Sequence, residues 1–252
     1  MGGAVAVVTG ASSGIGLATV IRLLAMDYRV IGIDLQGPTG PPDERLVWVS
    51  GDVASDDTWR EASDLASSRF GTDPRVLVCS AGVVKLGSVL DLSIQDWRRV
   101  FDVVLDGALL GMRATIPGMV RQGGGSIVTV GSVDSFLVER NGAAYCAAKG
   151  ALLQLTRSVA IDFARDGVRA NCVCPGVTDT PFFRNGLAAL PDGPLRRQAR
   201  IERNPIGRLL EADEVAAMIA FLCSDEASGV TGTAITVDGG LSASFEFTGD
   251  AR

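Results

Sequence analysis

Short apolar, β-branched runs alternate along the chain with longer stretches whose apolar positions recur at helical spacing. "AVAVVTG" is followed by "IGLATVIRLLAM", while "RVIGID" and "LVWVSGDV" precede "DTWREASDLASSRF" and "RVLVCSAG". The alternation continues through the helical "SIQDWRRVFDVVLDGALLGMRATIPGMV", the strand "GSIVTVGS", the helical "AAYCAAKGALLQLTRSVAIDFARDG" and the strand "VRANCVCPG". After "EADEVAAMIAFLCSD" a last strand reads "AITVDGG". Continuous apolar strands separated by amphipathic helices mark βαβ units, whose parallel sheet is buried on both faces. The pattern predicts a single α/β domain over residues 1–252: a doubly wound parallel sheet of about seven strands with helices on both faces. One segment breaks the rhythm. "VTDTPFFRNGLAALPDGPLRRQARIERNPIGRLL" is interrupted by prolines, and a long irregular segment inside a compact domain is usually functional, so residues at about 178–208 are expected to form a substrate lid.

Composition narrows the chemistry. With 252 residues, 47% of them hydrophobic, the chain can bury one substantial core. Its longest apolar runs, such as Met218 to Cys223, fall short of the roughly 20 residues a membrane span needs. The start "MGGAVAVVTG" has no basic region ahead of an apolar one, so a cytoplasmic location is expected. A net charge of -6 without a basic run points away from nucleic acid and anionic membranes and toward small-molecule partners. Five cysteines without C-x-x-C spacing read as free thiols, with Cys172 and Cys174 on a strand as buried structural residues and no metal site. The absence of histidine excludes Ser-His-Asp and Cys-His hydrolysis, H-E-x-x-H metalloproteases and His-ligated metals. A general acid or base must be Asp, Glu, Lys, Tyr or Cys.

The first strand runs into "TGASSGIG", placing Gly10, Gly14 and Gly16 between an apolar strand and an amphipathic helix. Glycines there permit a tight turn and let a phosphate approach the helix N-terminus, where unsatisfied N–H groups and the helix dipole favour an anion. The second strand ends at Asp34, about 20 residues beyond the loop, where a carboxylate can accept hydrogen bonds from adenosine ribose hydroxyls and repel a 2′-phosphate. Ser13, Leu35 and Gln36 around it are uncharged, so the expected cofactor is NAD.

Further along, Ser132, Tyr145 and Lys149 stand 13 and then 4 positions apart. On a helix, residues four apart share a face, which brings the Lys149 ammonium to the Tyr145 phenol. A cation there, joined by the positive oxidised nicotinamide, is expected to lower the phenol from its ordinary value near 10. Tyr145 would then act as general base in alcohol oxidation and general acid in ketone reduction.

Taken together, "TGASSGIG", "GDV", "CSAG", Ser132, "YCAAK", "PGVTDT" and the closing "VDGG" resemble the short-chain dehydrogenase/reductase family, and the likeness runs from Val5 to Gly240. The resemblance implies a Rossmann-type fold and a secondary alcohol/ketone oxidoreductase of NAD-preferring alcohol dehydrogenase type. Ser132 would hold the substrate oxygen, and Lys149 would bind the nicotinamide ribose. The cofactor cradle would comprise Gly10, Ser12, Ser13, Gly14, Ile15 and Gly16, with Asp52 at the adenine amino group and Val53 beside the ring. Ser80, Ala81 and Gly82 would follow the fourth strand. Pro175, Gly176 and Thr178 would hold the carboxamide through the backbone, and Thr180 a phosphate. Relatives generally form homotetramers through the long helices and the C-terminal segment; here the tail "SASFEFTGDAR" could reach a neighbour.

Two positions depart from that pattern. Relatives commonly carry asparagine where "VVLDG" places Val104; that asparagine helps hold a water linking the lysine to solvent, and valine neither donates nor accepts a hydrogen bond. Cys79 and Ser80 replace two asparagines, which is expected to weaken sheet-to-loop hydrogen bonding.

For the substrate side, Phe182, Phe183, Leu187, Leu190 and Leu195 suit an apolar wall. Arg196, Arg200 and Arg203 fall on one helical face, with Arg197 beside them; the row could clamp a substrate carboxylate, sulfonate or phosphate, or be a solvated face. Val83, Val84, Lys85 and "DSFLVE" (Asp134 to Glu139) are expected to line the remaining pocket. Two other readings stay open: a biosynthetic ketoreductase running in the reducing direction, and a catalytically weakened NAD-binding sensor or scaffold, for which Val104 is the support.

Overall fold

The apolar run Val5–Thr9 forms β1 and is buried at every position. Its alternate residues serve opposite layers: Val5 and Val7 belong to one core cluster, Ala6 and Val8 to the other. This is the consequence of a two-residue side-chain period in a strand covered on both faces. β2 (Arg29–Asp34), β4 (Val76–Cys79), β5 (Gly125–Val130) and β6 (Val168–Pro175) are buried in the same way, whereas the edge strands β3 (Leu46–Ser50) and β7 (Ala234–Val237) are mostly half-buried. The computed structural model describes residues 3–39, 43–188, 190 and 192–243. Within them the strands form one seven-stranded sheet in the order β3-β2-β1-β4-β5-β6-β7. Every pairing is parallel. The strand order reverses between β1 and β4, and in open α/β sheets ligands bind outside the carboxyl ends at such a switch point.

On one face α1 (Gly14–Ala25) packs against α8 (Ala212–Cys223). Arg22 donates two hydrogen bonds to the Asp213 carboxylate across them at 2.6 and 2.7 Å. The other face carries α2 (Asp56–Leu65), α3 (Ile94–Phe101), α4 (Gly107–Arg121) and α5 (Ala143–Asp162). The stretch expected as one long helix from residue 93 is broken by a π-helical turn, Asp102–Asp106, between α3 and α4. Taken whole, Ile94–Arg121 is a 28-residue helical stretch long and apolar enough to cross a membrane by length and composition, beyond what the short apolar runs led one to expect. Its apolar side chains are used in the core instead: Val100, Val103, Val104, Ala108 and Met112 lie in the cluster against the sheet.

The interrupted segment is itself helical, as α6 (Pro181–Ala188) and α7 (Gly193–Arg203). Pro194 falls in the first turn of α7, where its missing N–H costs nothing. Most of the tail "SASFEFTGDAR", from residue 244 onward, lies outside the described residues.

Candidate active site

The carboxyl ends of β1, β4, β5 and β6 deliver the predicted residues to one edge of the sheet. Gly10 and Gly14 have positive φ, +65° and +52°, which L side chains rarely adopt. A Cβ on Gly10 would lie 3.0 Å from the Ala81 nitrogen, and one on Gly16 would lie 2.0 Å from the Gly10 carbonyl oxygen. The loop, the start of α1 and the segment after β4 are therefore packed backbone to backbone. Gly14 faces Thr180, whose Cβ would stand 3.2 Å from an added methyl. Ser13, at the N-cap of α1, makes no side-chain capping bond, so the first-turn N–H groups of Ile15 and its neighbours keep their donors for an anion. This cradle of close backbones and helix N-terminus fits the pyrophosphate of a dinucleotide.

Asp34 ends β2 and holds the loop in place. Its Oδ2 accepts from the Ser12 N–H at 3.1 Å and its Oδ1 from the Gln36 N–H at 3.1 Å. Asp52 follows β3 and accepts from the Ala54 N–H at 3.0 Å. Arg99 on α3 donates to its Oδ2 at 2.7 Å. Burial opposes ionisation of Asp52, but these bonds win and hold its carboxyl below the usual range. Val53 is buried and packs on Gly107 at the start of α4.

Replacing asparagines by Cys79 and Ser80 does not leave the strand end loose. Thr9 of β1, a residue that sequence reasoning passed over, accepts the N–H groups of both Ser80 and Ala81 at 3.0 Å. Gly82 lies within 4.0 Å of Lys149 Nζ, measured from the position of an added Cβ. Pro175 closes β6, and Gly176 is so near Asp238 of "VDGG" that a Cβ would meet its Cα at 2.9 Å. Thr178 and Thr180 are buried, Thr180 against Gly14 of the glycine loop.

Ser132, Tyr145 and Lys149 lie at the same edge of the sheet. Ser132 caps a short 3-10 turn, Val133–Ser135, its hydroxyl accepting from the Asp134 N–H at 3.1 Å. Lys149 on α5 is 4% exposed and donates to the Val130 carbonyl at 2.6 Å, its Nζ lying over the Tyr145 ring 5.5 Å from the centroid. Burial lowers its pKa to about 8, opposed by the thiols of Cys172, Cys174 and Cys79 and by Asp134. Cys172 and Cys174 do point the same way, their sulfurs 3.7 Å apart and fully buried. Val104 sits in the π-helical turn, 2% exposed within the core cluster.

The electrostatics of Tyr145 correct one expectation. The protein's own groups push its phenol above the ordinary range, the reverse of what Lys149 alone was expected to do. Burial is the largest cause, the Asp134 carboxylate adds to it, and hydrogen bonding with Ser132 opposes it. The ammonium over the ring face, itself buried and bonded to a carbonyl, does not offset the loss of water around a phenolate.

The lid reaches the site through Phe182, whose ring centroid is 6.4 Å from that of Tyr145. Its arginines are sorted by their partners. Arg196 is tied to Asp192 at 2.8 Å, Arg197 to Asp179 at 2.8 Å, and Arg200 to Glu139. Arg203 makes no ion pair among the described residues, yet its charge acts on both Arg200 and Asp134. An open cavity of about 420 Å³ is lined by Asp134 to Glu139 together with Gly142, Ala143, Cys146 and Ala147. Val83, Val84 and Lys85 are not on its wall; Lys85 is instead paired with Asp96 at 3.1 Å.

Comparison with known proteins identifies the family. A family model described as Enoyl-(Acyl carrier protein) reductase matches residues 10–242. The chain is similar to the cis-4-hydroxycyclohexanecarboxylate dehydrogenase of Sinomonas cyclohexanicum, 40% identical over 248 residues, covering 95% of this chain and 96% of that protein. It is also similar to the 2-(R)-hydroxypropyl-CoM dehydrogenase of Xanthobacter autotrophicus, 37% identical over 251 residues, covering 95% and 98%. Among solved structures, the ligand-free aldohexose dehydrogenase of Thermoplasma acidophilum superimposes with a TM-score of 0.89 at 35% identity, over 96% of this chain and 95% of that one. The chain belongs to the short-chain dehydrogenase/reductase family, oxidoreductases that act on CH–OH groups with a nicotinamide cofactor.

Proposed function

We propose that the chain is an NAD-dependent dehydrogenase that interconverts a secondary alcohol and a ketone, with Tyr145 as general acid/base, Ser132 holding the substrate oxygen and Lys149 binding the nicotinamide ribose. The observation that carries this reading is the convergence of Ser132, Tyr145 and Lys149 at the carboxyl edge of the sheet, next to the glycine loop. When bound, NAD supplies a hydride acceptor or donor at its nicotinamide; the chain's residues bind, orient and move the proton. Gly10 to Gly16 with the start of α1 would hold the pyrophosphate, Asp34 the adenosine ribose, and Asp52 and Val53 the adenine. Ser80 to Gly82 would line the cleft, Pro175, Gly176 and Thr178 the carboxamide, and Thr180 a phosphate. Residues 178–208 serve as a lid within a single domain. NADH formation from a panel of secondary alcohols tests the reading; binding of NADH without turnover on any of them would favour a sensor.

Asp34 supports NAD over NADP. Its carboxylate is fixed by the Ser12 and Gln36 N–H groups at the end of β2, so it cannot swing away from an incoming 2′-phosphate. Like charges in contact cost several kcal/mol, and each 1.4 kcal/mol is tenfold, so kcat/KM with NAD should exceed that with NADP by about tenfold or more. Equal values would defeat the assignment.

The substrate that fits best is an alcohol carrying an anionic group such as a carboxylate, the group named in the substrate of the Sinomonas relative. Arg200 and Arg203 support this, since both act on Asp134 beside Ser132. Arg196 does not, being held by Asp192 on an exposed turn. A charge-assisted hydrogen bond contributes about 1.5–3 kcal/mol, so Arg203→Ala should raise KM for a hydroxycarboxylate about tenfold or more. KM for an uncharged alcohol of similar size should stay unchanged. Equal effects on both substrates would remove the arginine from recognition.

A further inference from the structure

The two lid helices bury almost nothing. No residue of α6 is buried, and of α7 only Gly193 is, while Leu195 stands 75% exposed. Segments with few buried apolar contacts lie at the low end of local stability, so polar ties decide where they rest. Both ends of the segment are pinned at one place. The Leu210 N–H donates to the Val177 carbonyl at 3.0 Å and the Asp179 N–H to the Leu210 carbonyl at 2.8 Å, forming a parallel bridge between Thr178 and Leu210. What lies between those ends must be positioned by its side chains.

Asp179 is the first side chain inside the bridge, and it meets both lid helices. Its Oδ2 accepts from Arg197 Nη2 of α7 at 2.8 Å, and its Oδ1 lies 3.7 Å from Arg184 Nη1 of α6. Oδ1 is buried and accepts no hydrogen bond, so the Arg184 guanidinium is what offsets its charge. Two other α7 side chains pair within the lid, Arg196 with Asp192 and Gln198 with Glu202. Among the described residues, the other ion pair from α7 to the rest of the domain joins Arg200 to Glu139 on the cavity wall. α7 is thus strung between that wall and Asp179, which stands between Thr178 and Thr180.

We propose that Asp179 is the positioning residue of the lid, gathering α6 through Arg184 and α7 through Arg197 onto one carboxylate and so setting the substrate side of the site. α6 carries Phe182, whose ring stands 6.4 Å from that of Tyr145, and α7 carries Arg200 and Arg203. Removing the charge does more than cut two ties. It leaves two guanidinium groups, each within 4 Å of the same carboxylate, facing one another without an anion between them, and their repulsion drives the helices apart. Asp179 acts only through these helices.

The effect on substrate rests on the proposed alcohol dehydrogenase reading; a second readout, of the lid itself, does not. Asp179→Asn keeps the shape and removes the charge. Loss of partly exposed ion pairs should raise KM about threefold to tenfold, for a hydroxycarboxylate and an uncharged alcohol alike, with kcat little changed, since binding and not chemistry is lost. Arg197→Gln should also raise KM, and the double variant should fall short of the product of the two single effects, because both break one pair. Arg196→Gln, whose partner lies within the lid, is the control and should leave KM as it is. Trypsin cuts after arginine, and the lid carries Arg184, Arg196, Arg197, Arg200 and Arg203. Cleavage there follows the population of the opened lid, so the Asp179→Asn protein should be cut about threefold to tenfold faster at an unchanged melting temperature. Cleavage at the wild-type rate overturns the inference, as does a melting temperature that falls along with faster cleavage, which would assign Asp179 to global stability. An unchanged KM with normal wild-type turnover, or effects that simply multiply in the double variant, also overturn it. If the wild type turns over no alcohol, the function reading fails and cleavage alone decides on Asp179.

Discussion

Tyr145→Phe should lower kcat for alcohol oxidation by about 10²–10⁴-fold, the range that a positioned acid/base group contributes. The substitution removes one oxygen and leaves the ring, so the tilted contact with Phe182 and the position of Lys149 over the ring have no reason to change. NADH affinity should stay within about twofold of wild type, because the glycine loop and Asp34, not the phenol, supply most of the binding surface. Retention of substantial turnover would take Tyr145 out of the mechanism. An equal loss of NADH binding would mean instead that the substitution had disturbed α5.

Gly16→Ala should be the most damaging single methyl in the cofactor half. The added Cβ would stand 2.0 Å from the Gly10 carbonyl oxygen, 2.6 Å from its carbon and 3.2 Å from the Thr9 carbonyl oxygen. All three are backbone atoms at the end of a fully buried strand, so no rotamer change relieves the overlap. Overpacking costs about 1–3 kcal/mol and occasionally more, and backbone against backbone belongs at the upper end. For a chain of this size about 3 kcal/mol corresponds to a melting temperature lower by roughly 6–12 °C. The loop must move to accommodate the methyl, so NADH binding should be lost with it. Gly37→Ala is the control, since nothing lies within 4 Å of that position. A Gly16→Ala protein that melts and binds NADH like the wild type would show that the close approach is unimportant.

Much of this could be read without coordinates, for local reasons. Strand and helix periods are properties of neighbouring residues, so the seven apolar runs stand as strands where the pattern put them, while the π-helical turn at Asp102–Asp106 and the helices of the lid were not legible in it. Gly10, Gly14 and Gly16 declare backbone positions that other residues cannot occupy, and the four-residue step from Tyr145 to Lys149 sets their shared helix face. The chain order of such units, with short right-handed crossovers, leaves few alternatives to the sheet observed.

What the tertiary structure decided depends on groups brought together from distant parts of the chain. Arg196, Arg200 and Arg203 are equivalent in a helical repeat; only the placement of Asp192 and Glu139 around α7 pairs the first two and leaves Arg203 without an ion pair among the described residues. Thr9 became the anchor of the segment after β4 because β1 and β4 are adjacent, which no local spacing states. The sign of the Tyr145 shift was set by burial and Asp134, and both are sums over surroundings that one helix face does not contain. The sequence by itself determined the strands, the turn at the glycine loop and the shared helix face of Tyr145 and Lys149, because short-range geometry suffices for them. The pairing of the lid arginines and the direction of the Tyr145 shift were decided by folding, because charge and burial are long-range quantities.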